Sequence, residues 1–450
     1  MSGGAGPTVT VGSDSPDMIK APINVFQRLA RQWDEMHPYN AAQVLKVEGT
    51  PSPSALQEAW HDALNDLGLG RVHVNGRGFY FECLNGEMSL YGVRVVPPGT
   101  SLEDYISEQL NRRFDNPAEP PFRPFVLRGD GFYYAGVIYH HWVADSVSIR
   151  TVLREWFVRL FDPKNSIHRP IQLADNSYRR FFSLLRSGTA MGQGLLTATR
   201  WASSMRRARR VEDRNGMDLS VRFAIRSLPQ NWIDTILTGA RSRGVTLNDV
   251  FMAALAQVCD RFVPLKHRPR RHSVALGSIV DLRPYSGEEI AEAFGLFLGF
   301  TNVVCRPADL RDPERLVKIV ARQNHQQKRV GIPQASALRM LAGVAFGKFI
   351  DPQRMPHFYQ KHLPLAGGIS NVNMNRSWAT AYHPRPLLDY IRVSPTGPMM
   401  PLVFATTTLG HNFHFAYTYR PSIVPAEEMQ VMAETYIDTL SAYANRPVII

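Results

Sequence analysis

Apolar positions recur along this chain with two periods. Between residues 54 and 67, Leu56, Trp60, Ala63, Leu64 and Leu67 fall at helical spacing. The spacing predicts an amphipathic helix with one buried stripe, capped by Ser54 and closed by Gln57 as a capping box. GRGFYFECL follows a Gly-containing turn and predicts a strand, and residues 102–113 predict another helix. Residues 131–140, GFYYAGVIYH, are apolar and β-prone, the composition of a buried strand. From Ser146 the period changes again, with Ile149, Val152, Leu153, Trp156, Phe157 and Leu160 on one helical face. A strand, a short turn and a helix therefore succeed one another around residue 141.

The later part of the chain repeats this mixture. VRFAIRSL alternates in part and predicts a strand. TLNDVFMAALAQV predicts a helix opened by a Thr246–Asp249 capping box, with Leu247, Phe251, Leu255 and Val258 inward. SVALGSIVDLRP is an apolar strand behind the basic loop KHRPRRH, and a helix is expected over residues 313–329. MPLVFATTT and FHFAYTY flank Leu-Gly-His-Asn, which predicts a hairpin. A last amphipathic helix is expected over residues 425–444. Strands and helices mix throughout, so the fold class is α/β (α+β).

Composition narrows the class. A chain of 450 residues exceeds one ordinary core and predicts two halves. The boundaries expected are a flexible tail over 1–18, an N-terminal half over 19–175, a basic linker over 176–215 and a C-terminal half over 216–450. An apolar share of 44% suits a globular chain, and no apolar run reaches the length of a membrane span. The N-terminal residues are small, polar and acidic, without the basic and apolar regions of a secretion signal. Cys83, Cys259 and Cys305 are isolated, which excludes a disulfide framework and a thiolate metal site and fits a reducing, cytoplasmic setting. The net charge of +12 favours anionic partners. No zinc-finger spacing or RNA-binding aromatic signature occurs, so nucleic acid is not the expected partner. Arg179, Arg180, Arg186, Arg200, Arg206, Arg207, Arg209 and Arg210 crowd the linker. LLTATRWASSMRRARR within it reads either as a solvated helix or as a basic amphipathic helix for a membrane or carrier surface.

The candidate chemistry lies in YHHWVADSVSIR. Successive strand residues face opposite sides, so His140 and His141 cannot share one core. Three readings compete. The histidines are structural. Or His140, His141 and Asp145 hold a metal, although adjacent strand residues diverge and no second ligand cluster has the right spacing. Or one histidine is a general base, since a neutral imidazole titrates near working pH and takes a proton from an alcohol or amine once a partner fixes its ring. No G-x-S-x-G elbow is present, which favours direct attack by an acceptor over a covalent acyl-enzyme.

HHWVADS resembles the HHxxxDG signature of the chloramphenicol acetyltransferase-like superfamily. That group includes nonribosomal peptide condensation domains, bacterial wax ester synthase/diacylglycerol acyltransferases and polyketide-associated acyltransferases. FRPFVLRGDGFYYAGVIYHHWVADS resembles the family's approach to the motif, and TLNDVFMAALA, VDLRP, FGLFLGFTNVVCRP and GGISNVNM resemble further family segments in the expected order. The resemblance implies two chloramphenicol acetyltransferase-like halves, each a mixed sheet flanked by helices, with an active-site tunnel between them. It implies His141 as general base, Asp145 in a structural salt bridge with Arg283, His140 positioning the loop, and Ser370 and Asn371 beside the donor channel as hydrogen-bond donors. By their residues alone, Ser370 and Asn371 simply end a strand, and Arg283 is a surface residue before a proline turn. Two departures stand out: Ser146 replaces the family's glycine, and SNVNM lacks the wax synthase branch's Pro-Gly. Ser146 fits as an N-cap, a narrowing of the tunnel, or the mark of an impaired member.

The resemblance further implies an acyl donor that is a thioester, on coenzyme A or on a phosphopantetheinyl carrier protein, both anionic. No cofactor or metal is required. Arg206, Arg207, Arg209 and Arg210, and Lys266, Arg268, Arg270 and Arg271, are candidate donor-facing clusters, or solvated loops. The expected function is acyl transfer to a hydroxyl or amine of a small acceptor in secondary or lipid metabolism. The alternatives are a catalytically impaired acyl-carrier or acyl-CoA binding protein of the same fold, and a basic nucleic-acid or membrane-surface protein; a peripheral membrane contact is also compatible with the charge.

Overall fold

The computed structural model describes residues 18–445 except 76–77, 83–91, 116–118, 172, 174–195, 197–198, 201, 213–217, 229–231, 286–292, 377–386 and 411. The expected tail and most of the expected linker, as well as Cys83, lie outside the described residues. Of the basic segment, residues 202–205 are helical, and Met205 is buried.

Two mixed sheets carry the structure. The first has five strands in the order Leu387–Val393, Asn40–Glu48, Phe132–His140, Phe122–Arg128 and Arg94–Val95. The second has six, in the order Leu298–Cys305, Val274–Asp281, Gly367–Asn373, Leu402–Leu409, Asn412–Tyr419 and Arg222–Ser227. Helices flank both. The strand Leu387–Val393 comes from the expected C-terminal half yet pairs antiparallel with Asn40–Glu48 in the N-terminal sheet. The halves 19–175 and 216–450 are therefore interlocked. One apolar core joins Trp33, Trp60 and Trp156 to Phe294, Phe297 and Met340, across the expected boundary.

The elements follow from local chemistry, with corrections. The helix Pro53–Leu67 buries the expected stripe, including Trp60 at 0% exposure. Its cap is Ser52, not Ser54, because Pro53 takes the first helical position, where its missing N–H costs nothing. Gln57 closes no capping box; its side-chain oxygen accepts from the Val93 N–H instead. The helix Leu247–Phe262 does carry the Thr246–Asp249 box. Strands Leu402–Leu409 and Asn412–Tyr419 form the hairpin, turning at Gly410, whose φ of 60° is left-handed.

Gly136 shows how closely the first sheet is packed. A Cβ there would sit 2.8 Å from the Gln43 carbonyl oxygen and 2.9 Å from the Phe125 ring. Gly136→Val is expected to destabilise the protein by about 1–3 kcal/mol, read as a lower urea midpoint at unchanged m-value.

Candidate active site

The strand Phe132–His140 delivers the two histidines to opposite sides, as its pleat requires. His140 turns into the protein, stacks on Phe114 with centroids 5.1 Å apart, and accepts a hydrogen bond from the Trp142 indole N–H at 2.7 Å. Its Nε2 lies 3.6 Å from an Asp34 carboxylate oxygen. Burial pushes its pKa down to about 3, so it is neutral at ordinary pH. Its ring ties Trp142 of the following turn to Phe114 and is not part of the cavity lining.

His141 lines a cavity of about 170 Å³ between the two sheets. Its ring stacks on Tyr39 at 5.3 Å with planes 12° apart. Its Nδ1 is 3.0 Å from the Ala144 carbonyl oxygen. A carbonyl only accepts, so Nδ1 carries the proton and Nε2 is left with a free lone pair. Among the described residues Nε2 has no protein partner. Burial lowers the pKa of this imidazole, which favours its neutral form.

Asp145 is wholly buried, and Arg283 is buried against it. The guanidinium donates to both carboxylate oxygens, at 2.7 and 3.0 Å. The same carboxylate caps the helix Ser146–Phe161 through the N–H groups of Val147 and Ser148, and accepts from the Phe297 N–H at 2.9 Å. Arg283 also donates to the Ser148 hydroxyl and the Ala293 carbonyl, and lies 4.7 Å over the Phe297 ring. Burial alone would push the Asp145 carboxyl up; Arg283 and the N–H donors pull it below the usual carboxylate range. Arg283 is thus no surface residue.

Ser146 is not the cap of its helix: Asp145 is, and Ser146 is the first helical residue. Helical backbone suits serine, so no glycine is needed here. Its hydroxyl accepts from Arg392 Nε at 3.0 Å. Ser370 also lines the cavity, and its hydroxyl accepts from Arg392 Nη2 at 2.7 Å. Asn371 lines it too, its side-chain oxygen held by the Thr406 hydroxyl at 2.9 Å. The structure therefore brings His141, Ser146, Ser370 and Asn371 to one cavity and seats His140, Asp145 and Arg283 behind it. Sequence reasoning missed Tyr39, Arg150, Asn302 and Arg392, which also line it. Asn302 sits in a stretch already singled out, FGLFLGFTNVVCRP, and its buried side-chain amide nitrogen has no protein partner among the described residues. Arg392 carries no local signal.

The two basic clusters come together. The Ser273 N–H donates to Arg207 O, and strand Leu265–Lys266 pairs with Arg210–Val211. Arg206, Arg207, Lys266, Arg268 and Arg270 are exposed. Arg209 is not on this surface: it is buried in a pair with Asp260. Beneath the patch, Met205 and Ala208 pack with Leu363, Leu365 and Met400, which line the cavity. Among the described residues no His, Cys, Asp and Glu side chains gather as a metal site, and no helix is long and apolar enough to cross a membrane. Cys259 and Cys305 are free and buried.

No protein-family model matches the chain. A plipastatin synthase protein of Bacillus subtilis (strain 168) is 26% identical over 229 residues, which are 49% of this chain and 8% of that protein. The chain therefore spans a small part of that relative's length. Among solved structures, a trichothecene 15-O-acetyltransferase from Fusarium sporotrichioides superposes with a TM-score of 0.72 at 12% identity, over 96% of this chain and 97% of that one. A nonribosomal peptide synthetase cyclization-docking bidomain from Sorangium cellulosum gives 0.67 at 13% identity, over 95% of this chain and 85% of that one. The first condensation domain of the calcium-dependent antibiotic synthetase gives 0.65 at 14%, over 95% and 98%. The chain has the two-lobed condensation-domain and chloramphenicol acetyltransferase-like fold.

Two outcomes are expected. Asp145→Asn leaves the buried Arg283 with only its longer, 3.3 Å pair to the partly exposed Asp281 and should cost about 3–5 kcal/mol in urea unfolding, with Asp145→Asn/Arg283→Met recovering part of it. The depressed pKa values of His140 and His141 set a pH dependence. Below the unfolded value of 6.5 the unfolded chain takes up protons that the folded chain refuses until near pH 3 for His140. Stability should therefore be full above pH 7 and fall as pH drops through this window, by up to about 1.4 kcal/mol per unit for each histidine.

Proposed function

We propose that the protein is an acyltransferase that moves an acyl group from a coenzyme A or carrier-protein thioester to a hydroxyl or amine, with His141 as general base. The observation that carries this reading is the fixed tautomer of His141: Nδ1–H is tied to Ala144 O and Nε2 is free at a mostly apolar cavity. Nε2 takes the acceptor's proton as its O or N bonds to the thioester carbonyl carbon. The oxyanion formed collapses, the C–S bond breaks, and the thiolate receives the proton from His141. No metal is needed for these steps. The Ser370 hydroxyl, whose lone pair already accepts from Arg392, keeps its proton for the oxyanion or the substrate, and the Asn371 amide is a further donor.

The exposed basic patch over the Leu363, Leu365 and Met400 wall supports a donor with phosphates or an acidic carrier surface. Free, buried Cys259 and Cys305 support a reducing, cytoplasmic setting. The second reading, a non-catalytic acyl-carrier or acyl-CoA binder, drew on Ser146 in place of glycine. A helical first position that serine occupies without strain removes that ground.

Thiol release from a panel of acyl-CoA and acyl-carrier thioesters, with mixed alcohols and amines, tests the reading. Wild type should show acceptor-dependent release, and His141→Ala should lose about 10²–10⁴-fold of kcat/KM while keeping its melting temperature. Equal release by both proteins would sink it. The wild-type kcat/KM should stay level from pH 8 to the usual imidazole range near 6.5 and decline only below it, because burial lowers the His141 pKa and the base works as the neutral ring.

A further inference from the structure

The cavity lining sets two guanidiniums, the Ser146 and Ser370 hydroxyls and the Asn302 and Asn371 amides against one carboxylate, Asp281. Its two lining arginines, Arg150 and Arg392, have no carboxylate within ion-pair distance among the described residues. Arg392 is 4% exposed and, among the described residues, is held by hydroxyl and carbonyl oxygens alone: Ser146 Oγ, Ser370 Oγ, Ser370 O at 3.4 Å and Thr406 O at 3.5 Å. Among the described residues Arg150 has only a 3.9 Å contact to the Met374 sulfur. Ser146 and Arg150 lie one turn apart on the same helix and both line the cavity. Because Ser146 and Ser370 accept from Arg392, each keeps its own hydroxyl proton, with no protein acceptor among the described residues.

Charge makes the same point. The local carboxylates are Asp145 and Asp281, and both are engaged by Arg283. With Arg150 and Arg392 added, three guanidiniums face two carboxylates, and His141 is neutral. A buried guanidinium cannot shed its proton, and one without a counter-ion costs several kcal/mol. A planar fork with free N–H groups matches a carboxylate.

We infer that the substrate held beside His141 carries a free carboxylate in addition to its reacting group, bound by the Arg150 fork and the Ser146 and Ser370 hydroxyls that Arg392 polarises. Its source is either an amino- or hydroxy-acid acceptor or a dicarboxylic half-thioester donor. Ser146 is then a substrate-binding residue, not a defect. The inference rests on the reading of this cavity as the substrate tunnel.

Titration calorimetry of wild type and Arg150→Gln with octanoate and methyl octanoate tests the binding directly. Octanoate should bind wild type about 10- to 100-fold tighter than its ester, and Arg150→Gln should abolish that preference with the ester little changed. Ser146→Gly, a milder change, should reduce it in part. Equal binding of acid and ester, binding of neither, or a preference that survives in Arg150→Gln would overturn the inference. Turnover then assigns the source: phenylalanine against its methyl ester as acceptors, and succinyl-CoA against butyryl-CoA as donors. Preference for the carboxylate in either pair supports the inference, and turnover without preference in both pairs overturns it. Should no pair turn over while octanoate still discriminates, the acyl-transfer reading fails and the carboxylate site stands.

Discussion

The geometry around His141 depends on one buried ion pair. Asp145 and Arg283 are far apart in sequence and wholly removed from water, so neither tolerates the loss of the other. Through Asp145 the pair starts the helix Ser146–Phe161. Through the Phe297 and Gly295 backbones it anchors the second half's 293–297 segment. The turn that carries His141 is closed from both sides by these bonds. The carboxylate makes no contact with the His141 ring; it fixes the loop, and the loop's own Ala144 carbonyl fixes the ring.

The division of labour between the two histidines follows from the strand pleat. One side leads into an aromatic packing of Phe114 and Trp142, where a charge would be left unsolvated. The other leads to the cavity. Ser146, Ser370 and Arg392 then tie three elements together at the cavity wall: the motif helix, the strand Gly367–Asn373 and the strand Leu387–Val393. A wall made of three elements that are distant in sequence stays in register only because the sheets on either side are fixed.

Legibility in sequence tracked the range of each interaction. The motif turn, the helix after it and the Thr246–Asp249 box are decided by neighbours within a turn or two, and their residue patterns announced them. Even locally, a stronger competitor could win: Pro53 moved the cap to Ser52, and a distant N–H at Val93 took Gln57. Arg283 was legible only through its resemblance to a family segment, since nothing in VDLRP itself marks burial. Arg150 falls between the apolar positions of the helix after the motif, with nothing local to single it out, and Arg392 sits in LLDYIRV, where its cavity neighbours come from strands and a helix elsewhere in the chain. Long-range pairing leaves no period to read.

The strand that crosses between the halves bears on how the chain is made. Asn40–Glu48 has an open edge until Leu387–Val393 is synthesised. At about 5–20 residues per second, the intervening stretch of roughly 340 residues takes on the order of 20–70 s to translate. For that time the nascent sheet presents unpaired N–H and C=O groups along an apolar strand, a template for intermolecular pairing. The protein is in this sense finished from its far end, and its synthesis in a crowded cell is the period in which a chaperone matters most.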